Sequence, residues 1–486
     1  WRFEMIGVFL ISLVLFLLGA EFLKLQWKSR GLPPGPIPFP IIGSIWWINF
    51  RADYESLKKL AKSYGNVFTV WLGHKPVVIL CGFRAVKDGF TTNSDDTCGR
   101  LQTYVFDKMS NGKGILVSSG LIWKRQRHFG VVTLRKLGMG NKGMERGIQA
   151  EARYLIEFFR DKEGMPLTRC LGTAFGLLMQ YVACMTQRVK TILAVEKNGF
   201  GAQLRMQSRP SLCEIFPWVV AHVPGPARKA LLSCDVVRDF IRQEVKSHRE
   251  KGTINEPEDF IDFYLDQIEK TKNVSNSTFD EENLVQSVFD LFLAGSETTA
   301  TTLRWALLYM LAYPDVQEKV QKELDAVLSP SHLICYEDRK KLPYTNAVVH
   351  EIMRFGSIIL ISLPRKAVKD TTLLGYQIPK GTLISSNLDS VLFDPEYWET
   401  PHQFNPGHFL DKDGNFVTRE AFLPFSAGYR VCPGEVLAKM ELFIIFSSLL
   451  QTFKFTPPEG VKEVNTDSIC ESTVKPHPYK LCAVLR

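Results

Sequence analysis

Much is missing from these 486 residues, and each absence removes a class of protein. The ten cysteines, Cys81, Cys98, Cys170, Cys184, Cys213, Cys234, Cys335, Cys432, Cys470 and Cys482, form no C-x-x-C pair and follow no regular spacing. That argues against a zinc ribbon and against a disulfide scaffold. Most of them read as small buried hydrophobes in a reducing compartment. No polybasic block accompanies the net charge of +8, built from 59 basic against 51 acidic residues, so nucleic-acid binding is disfavoured. The same mild excess suits an acidic protein partner or anionic lipid headgroups as well as an ordinary solvated surface. No glycine fingerprint for a dinucleotide follows a strand pattern, and no second domain is visible to house flavins. Beyond Arg51 there is no second linker, internal repeat or low-complexity tract, and one compact unit is the economical reading.

One long hydrophobic run is present. Met5 to Leu23 is interrupted only by Ser12 and Glu21 and is long enough to cross a hydrocarbon core as a helix. Neither the shorter core nor the small-residue cleavage site of a signal peptide is seen. Lys24, Lys28 and Arg30 follow the span, whereas Arg2 and Glu4 offset each other before it, which leaves the bulk of the chain in the cytosol. That topology turns the acceptor patterns at Asn273 and Asn276 away from glycosylation machinery. The segment Pro33 to Pro40 holds five prolines, which lack N–H donors and fix φ, so it reads as a stiff connector. The expected division is an anchor over residues 1–24, a connector over 25–44 and a catalytic body over 45–486.

Helical apolar spacing marks Tyr54 to Tyr64, Gly143 to Arg160, Ala227 to Lys251, Thr278 to Ala312, Val316 to Leu328, Asn346 to Phe355 and Gly434 to Phe453. Val67 to Leu72 and Val77 to Cys81 flank a Gly-His-Lys-Pro turn as a hairpin, with extended pieces near Leu373 to Ile378 and Thr382 to Asn387. The fold class is mainly α with a small β region. Thr278 and Glu281 form a capping box ahead of the longest helix.

Two motifs break the local rules. Phe425-Ser426-Ala427-Gly428-Tyr429-Arg430-Val431-Cys432-Pro433-Gly434 brackets a cysteine with glycines just before an apolar helix. Glycines let the backbone turn tightly and a flat cofactor approach closely, and the helix start favours a thiolate. A thiolate on haem iron favours O–O cleavage, and Arg430 would pair with a haem propionate. In the long helix, Ala294-Gly295-Ser296-Glu297-Thr298-Thr299 puts a glycine, an acid and hydroxyls where a buried helix wants none; the glycine alone costs about 1 kcal/mol.

The first motif resembles F-x-x-G-x-R-x-C-x-G, the haem-binding signature of the cytochrome P-450 family, at every defined position. The second resembles the family's [AG]-G-x-[DE]-T. The resemblance implies the cytochrome P-450 fold, a single catalytic domain behind a transmembrane helix, and haem b with Cys432 as iron ligand within a frame that includes Phe425, Arg430 and Gly434. It also implies that Thr298 positions the activated oxygen and Glu297 feeds protons; a threonine in a buried helix otherwise bonds a carbonyl one turn back. Trp123 and Arg127 are similar to the family's W-x-x-x-R, which donates to a propionate, and Arg100 and Arg365 resemble two further propionate partners. Lys124 and Arg125 beside them either dock an acidic flavoprotein or form a solvated face.

Glu351 and Arg354 are spaced like an exposed surface pair, yet they resemble the family's structural E-x-x-R, locked to a segment that looks like Asn405 to Phe409. There His408 and Gly407 replace the usual arginine and acid. Val105, Phe106, Phe289, Phe292, Ala294 and Ile359 to Leu363 are implied cavity walls. Glu214 to Trp218 and Pro224 to Pro226 look like the microsomal drug- and lipid-oxidising branch of vertebrates. From about Pro166 to Phe200 the likeness lapses, with Arg188, Lys190 and Lys197 interrupting the apolar spacing. The function implied is oxygen insertion from O2 into hydrophobic small molecules at the endoplasmic reticulum membrane. Electrons would come from NADPH through a separate NADPH–cytochrome P-450 reductase, with cytochrome b5 as an additional partner. A haem-thiolate peroxide isomerase is disfavoured by the intact Glu297-Thr298 pair, and a non-catalytic haem sensor would show no NADPH-dependent product.

Overall fold

The computed structural model describes residues 2–48, 54–101, 104–139, 142–162, 165, 226–250, 256–461, 463–470 and 473–486. The early helices are α1 (Arg2–Ser29), α2 (Tyr54–Tyr64), α3 (Phe83–Thr91), α4 (Tyr104–Ser110), α5 (Gly120–Lys136) and α6 (Lys142–Arg160). They are followed by α7 (Pro226–Glu250), α8 (Phe260–Lys270), α9 (Glu281–Ala312), α10 (Pro314–Val327), α11 (Pro343–Gly356), α12 (Asp389–Leu392) and α13 (Glu435–Thr452). The strands are β1 (Val67–Leu72), β2 (Lys75–Cys81), β3 (Gly99–Arg100), β4 (Arg365–Lys366), β5 (Thr371–Leu373) and β6 (Tyr376–Ile378). The rest are β7 (Leu383–Asn387), β8 (Phe453–Thr456), β9 (Ser468–Cys470), β10 (Val474–Pro476) and β11 (Cys482–Leu485).

The hairpin read from the Gly73-His74 turn forms with Val67 opposite Leu80 and Leu72 opposite Lys75. β2 pairs in parallel with β7, and the sheet continues β7-β4-β3. The last pairing sets Arg100 directly across from Arg365. Like charges opposite each other destabilise a sheet, so this register calls for a negative counterpart. The extended piece expected at Leu373 to Ile378 is a tight hairpin, because Leu374 and Gly375 both adopt positive φ, the conformation of a type I′ turn.

α9 is the spine, buried along most of its 32 residues. Its second half packs with α6, α11 and α13 through Leu303, Leu307, Ile352, Phe443 and Phe446, while its first half packs on α7 and α8. The expected capping box is not what starts it. Asp280 is the N-cap and its side chain accepts from the Asn283 N–H at 2.8 Å, while the buried Thr278 hydroxyl has no partner. A carboxylate at a helix N-terminus adds charge–dipole attraction that a hydroxyl lacks, and Lys113 pairs with it at 2.9 Å. Helices α3, α4, α5 and α8 lie outside the set expected from apolar spacing. α5 shows why: it buries Gln126, Gly130 and Thr133 beside Trp123 and Leu134, a face that hydrophobic periodicity does not reveal.

Among the described residues α1 is the helix long and apolar enough to cross a membrane, and its apolar side chains stand exposed, Phe9 at 67% and Phe16 at 72%. It continues past residue 24 to Ser29, and the extra turns dock: Leu25 is 1% exposed, and Gln26 Nε2 donates to the Pro38 carbonyl at 3.3 Å. The proline connector is bonded to the body. Thr69 N–H and Oγ1 donate to the carbonyls of Pro34 and Pro33, both at 2.9 Å, and a Cβ at Gly35 would collide with the Thr69 carbonyl. The prolines lack donors but not acceptors, so the connector is a fixed bracket. The atypical 166–200 stretch and the Glu214 to Trp218 segment lie outside the described residues.

Candidate active site

The cysteine loop ends where α13 begins. Cys432 N–H donates to the Phe425 carbonyl at 3.0 Å, which closes the loop, and Gly428, at φ 71°, lies so close to α3 that any Cβ would strike the Phe90 carbonyl. Only glycine fits there. The Cys432 thiol is exposed although protein surrounds it, because it faces an internal space. Burial pushes the thiol up, while the Gly434 N–H and the Arg127 charge pull the other way. The expected ionisation by the helix start is therefore outweighed in the chain by itself, and a thiolate here needs the charge of a metal cation.

Four arginines and a tryptophan converge on this loop from distant parts of the chain. Arg127 Nη2 donates to the Val431 carbonyl at 2.6 Å, one residue from the cysteine. Arg365 Nη2 donates to the Ala427 carbonyl at 2.5 Å. Arg430 is committed to the carbonyls of Cys98 at 2.8 Å and Ser118 at 2.6 Å, with its guanidinium 3.8 Å from the Trp123 ring. Arg100 reaches the carbonyls of Leu363 at 2.7 Å and Leu116 at 3.1 Å. Among the described residues none of the four is ion-paired with a carboxylate. Burial first, and then mutual repulsion, pushes Arg430 down to about 8 and Arg100 down to about 10. Trp123 Nε1 and Arg365 Nη1 are buried with no partner.

Buried donors without acceptors, in a cluster of unneutralised positive charge, fit a dianionic ligand. Haem, with two propionates and an iron that takes a sulfur ligand, meets both demands at this loop. The orphan donors on Trp123 and Arg365 could take the propionates, together with Arg100 and Arg127. The Arg430 donors hold the 98 and 118 backbones together.

The middle of α9 presents the second motif. Ala294 is exposed beside buried Leu293 and half-buried Gly295, so the helix also faces an internal space there. Thr298 Oγ1 donates to the Ala294 carbonyl at 2.6 Å, the back-bond open to any helical threonine. Glu297 turns instead to the C-terminal hairpin, where Lys475 Nζ lies 2.6 Å from Oε1. The next residue, Thr299, donates to Glu441 Oε2 on α13 at 3.3 Å, tying the oxygen helix to the cysteine helix. Burial pushes the Glu441 carboxyl up to about 8, so the folded chain holds it neutral.

A raised carboxyl contributes stability that is complete below about pH 4.5 and is lost as pH rises through about 8, at no more than about 1.4 kcal/mol per unit. Glu441→Gln is expected to flatten the pH dependence of thermal unfolding over that window. The variant should be the more stable protein at the alkaline end, measured by differential scanning calorimetry. An unchanged pH slope would show that Glu441 is not the titrating group.

Glu351 and Arg354, indistinguishable by spacing from a surface pair, are both fully buried. Arg354 Nε and Nη2 each lie 2.7 Å from a Glu351 oxygen, and the remaining donors reach the carbonyls of Leu392, Pro401 and Gln403. His408 fills the third place: Nε2 accepts from the Thr400 N–H at 3.2 Å, which leaves Nδ1 as the donor to Glu351 at 3.3 Å. The network is structural, as expected, with imidazole serving where an arginine is usual.

One residue that positions the site escaped the sequence reading. Asp290 on α9 accepts from the N–H groups of Ile115 and Leu116 at 2.7 and 2.9 Å, and so fixes the loop whose carbonyls hold Arg100 and Arg430. Burial raises its carboxyl to about 6. The only signal was an acid inside an apolar run. Of the expected walls, Phe289 is sealed in the core with Leu284 and Tyr264, Ile359 to Ile361 are half-buried, and the Val105 side chain lies outside the described residues.

A cysteine sulfur facing an internal space, ringed by cationic donors and followed by a helix tied to the unbroken α9 that carries Gly-x-Glu-Thr, fits a haem-thiolate oxygenase site. The Cytochrome P450 family model matches residues 33–483, and the chain belongs to that family. It is 37% identical to mouse Cytochrome P450 2J5 over 497 aligned residues, covering 100% of this chain and 97% of that protein. It is 38% identical to human Cytochrome P450 2J2, covering 98% and 95%, and 38% identical to human Cytochrome P450 2C8, covering 98% and 99%. The protein is a haem-binding monooxygenase.

Proposed function

We propose that this chain is a membrane-bound monooxygenase of the endoplasmic reticulum. It would insert one oxygen atom of O2 into fatty acids, steroids or foreign apolar compounds, with the other atom leaving as water. Two electrons come from NADPH through a separate NADPH–cytochrome P450 reductase, with cytochrome b5 as a second donor. The observation that carries the reading is the Cys432 thiol, open to an internal space at the start of α13 amid donors that lack a carboxylate. Bound haem supplies the one-electron and oxygen chemistry. The protein fixes the Cys432 backbone through the Phe425 carbonyl and its sulfur through the Gly434 N–H, would neutralise the propionates with Arg100, Arg127 and Arg365 and donate to them from Trp123, and would handle protons at Thr298 and Glu297. Half-buried apolar groups at Ile359, Leu360, Ile361 and Leu363 and the open Ala294 would face substrate. α1 spans the bilayer with the body on the cytosolic side, and Lys124, paired with Asp95 at 3.1 Å, and Arg125, bonded to the Asn276 carbonyl at 2.9 Å, are the cations offered to an acidic flavoprotein.

Thr298→Ala tests the proton assignment. The back-bond contributes little to a helix, so the variant should fold and bind haem normally. NADPH consumption should persist while product per NADPH falls by about 10² and hydrogen peroxide accumulates. Turnover supported by peroxide alone, with none from NADPH and reductase, would reject the monooxygenase reading in favour of a peroxide-using enzyme.

A further inference from the structure

Three donors and one more distant guanidinium converge on a single oxygen of Glu297. Lys475 Nζ lies 2.6 Å from Oε1, Thr473 Oγ1 donates to it at 3.3 Å, Thr301 Oγ1 donates at 3.4 Å and Arg304 Nη2 lies 3.9 Å away. Two of these, Lys475 and Thr473, belong to the chain around β10, far from α9 in sequence. The side chains of Glu297 and Lys475 are 14% and 16% exposed, a setting in which an ion pair is screened much less than at the surface.

The hairpin cannot drift from α9 without other losses. Trp305 Nε1 on α9 donates to the Val474 carbonyl at 2.8 Å, and the Val474 N–H donates to the Ile358 carbonyl, just beyond α11, at 2.9 Å. Lys475 therefore projects from a backbone held on both sides, and its ammonium is delivered to the acid by main-chain geometry. Neighbouring helix positions are rotated by about 100°, and the bonds of Glu297 lie with the hairpin whereas Thr298 bonds back along the helix to Ala294. For the carboxyl to pass a proton toward the Thr298 hydroxyl and regain it from water, it must leave or loosen the Lys475 contact.

We infer that Lys475, carried by the C-terminal hairpin, is a positioning residue for oxygen activation: it parks the Glu297 carboxylate and sets when that group can swing toward Thr298. The inference rests on the proton-handling assignment of Glu297 and Thr298. It places a control element for proton delivery on β10, nearly two hundred residues from Glu297 in sequence.

The test uses the haem-loaded full chain with reductase and any substrate that gives measurable product. Lys475→Met is expected to lower product per NADPH by roughly tenfold, less than the 10²–10⁴ or so that loss of an acid–base group brings, and to raise peroxide correspondingly. Lys475→Arg should restore coupling. Independently of turnover, a water-soluble carbodiimide with an amine should label Glu297 more heavily in Lys475→Met than in wild type or Lys475→Arg, read by peptide mass spectrometry. Adding Lys475→Met to Glu297→Gln should cause little further loss, because Lys475 acts through that carboxylate.

Wild-type coupling and labelling in Lys475→Met would overturn the inference, and so would losses that multiply in the double variant. Faster hydrogen exchange at the Val474 amide with Glu297 labelling unchanged would make Lys475 a structural strut, which also overturns it. Should Thr298→Ala and Glu297→Gln both stay fully coupled, the underlying assignment fails. That failure is recognisable because labelling of Glu297 would still depend on Lys475.

Discussion

Replacing Cys432 with serine or histidine is expected to abolish NADPH-dependent oxygenation, a fall of at least about 10³ of the kind seen when chemistry loses the group it runs through. The polypeptide should still fold, because the loop is closed by the backbone bond from Cys432 N–H to Phe425 O, and the propionate donors come from other elements. The decisive measurement is the absorption spectrum of the reduced protein with carbon monoxide. Wild type should show the long-wavelength Soret band of sulfur ligation, and both variants should lose it while retaining pigment. A variant that kept the band would exclude Cys432 as the ligand, and the site would have to be sought elsewhere.

Arg354→Ala carries the largest expected effect on stability. The guanidinium is fully buried, grips Glu351 with two bonds of 2.7 Å and closes the carbonyls of Leu392, Pro401 and Gln403. Removing it strands a buried carboxylate as well as those carbonyls. Breaking such a pair costs about 3–5 kcal/mol, a large part of the 5–15 or so that holds a domain together. Little haem-loaded protein should be recovered on expression. Arg354→Lys should fare nearly as badly, since an ammonium cannot present donors in a planar fork. Thermal denaturation and haem content of purified protein measure both. Near-normal stability in either variant would mean that the network around His408 is dispensable.

Much of the architecture was legible because its causes are local. The β1–β2 hairpin follows from apolar alternation around Gly73-His74, and α2, α6, α7, α9, α11 and α13 follow from helical spacing to within a few residues of their ends. Failures arose where a local rule had competitors. Asp280 displaced Thr278 as the cap of α9 because a carboxylate beside Lys113 is the better acceptor at a helix start. α5 was not marked by apolar spacing because its buried face carries Gln126 and Thr133. Leu373 to Ile378 folded back on itself because Leu374 and Gly375 accept positive φ. At the site, the lone acid Asp290 gave no spacing signal, although it fixes the loop that orients two arginines.

The sequence by itself determined the class of chemistry. A cysteine, an arginine and two glycines at fixed spacing before an apolar helix match a haem-binding signature without knowledge of the rest of the chain, since the motif lies within ten residues. Tertiary structure alone decided where charge gathers. Arg100 meets Arg365 through strand register, Arg127 and Arg430 arrive from helix and loop, and Lys475 reaches Glu297 from a hairpin nearly two hundred residues away in sequence. Burial, too, belongs to the fold: the spacing of Glu351 and Arg354 is the same on a wet surface or in a dry core, and only the packing of α11 against its neighbours turned a weak pair into a structural clamp.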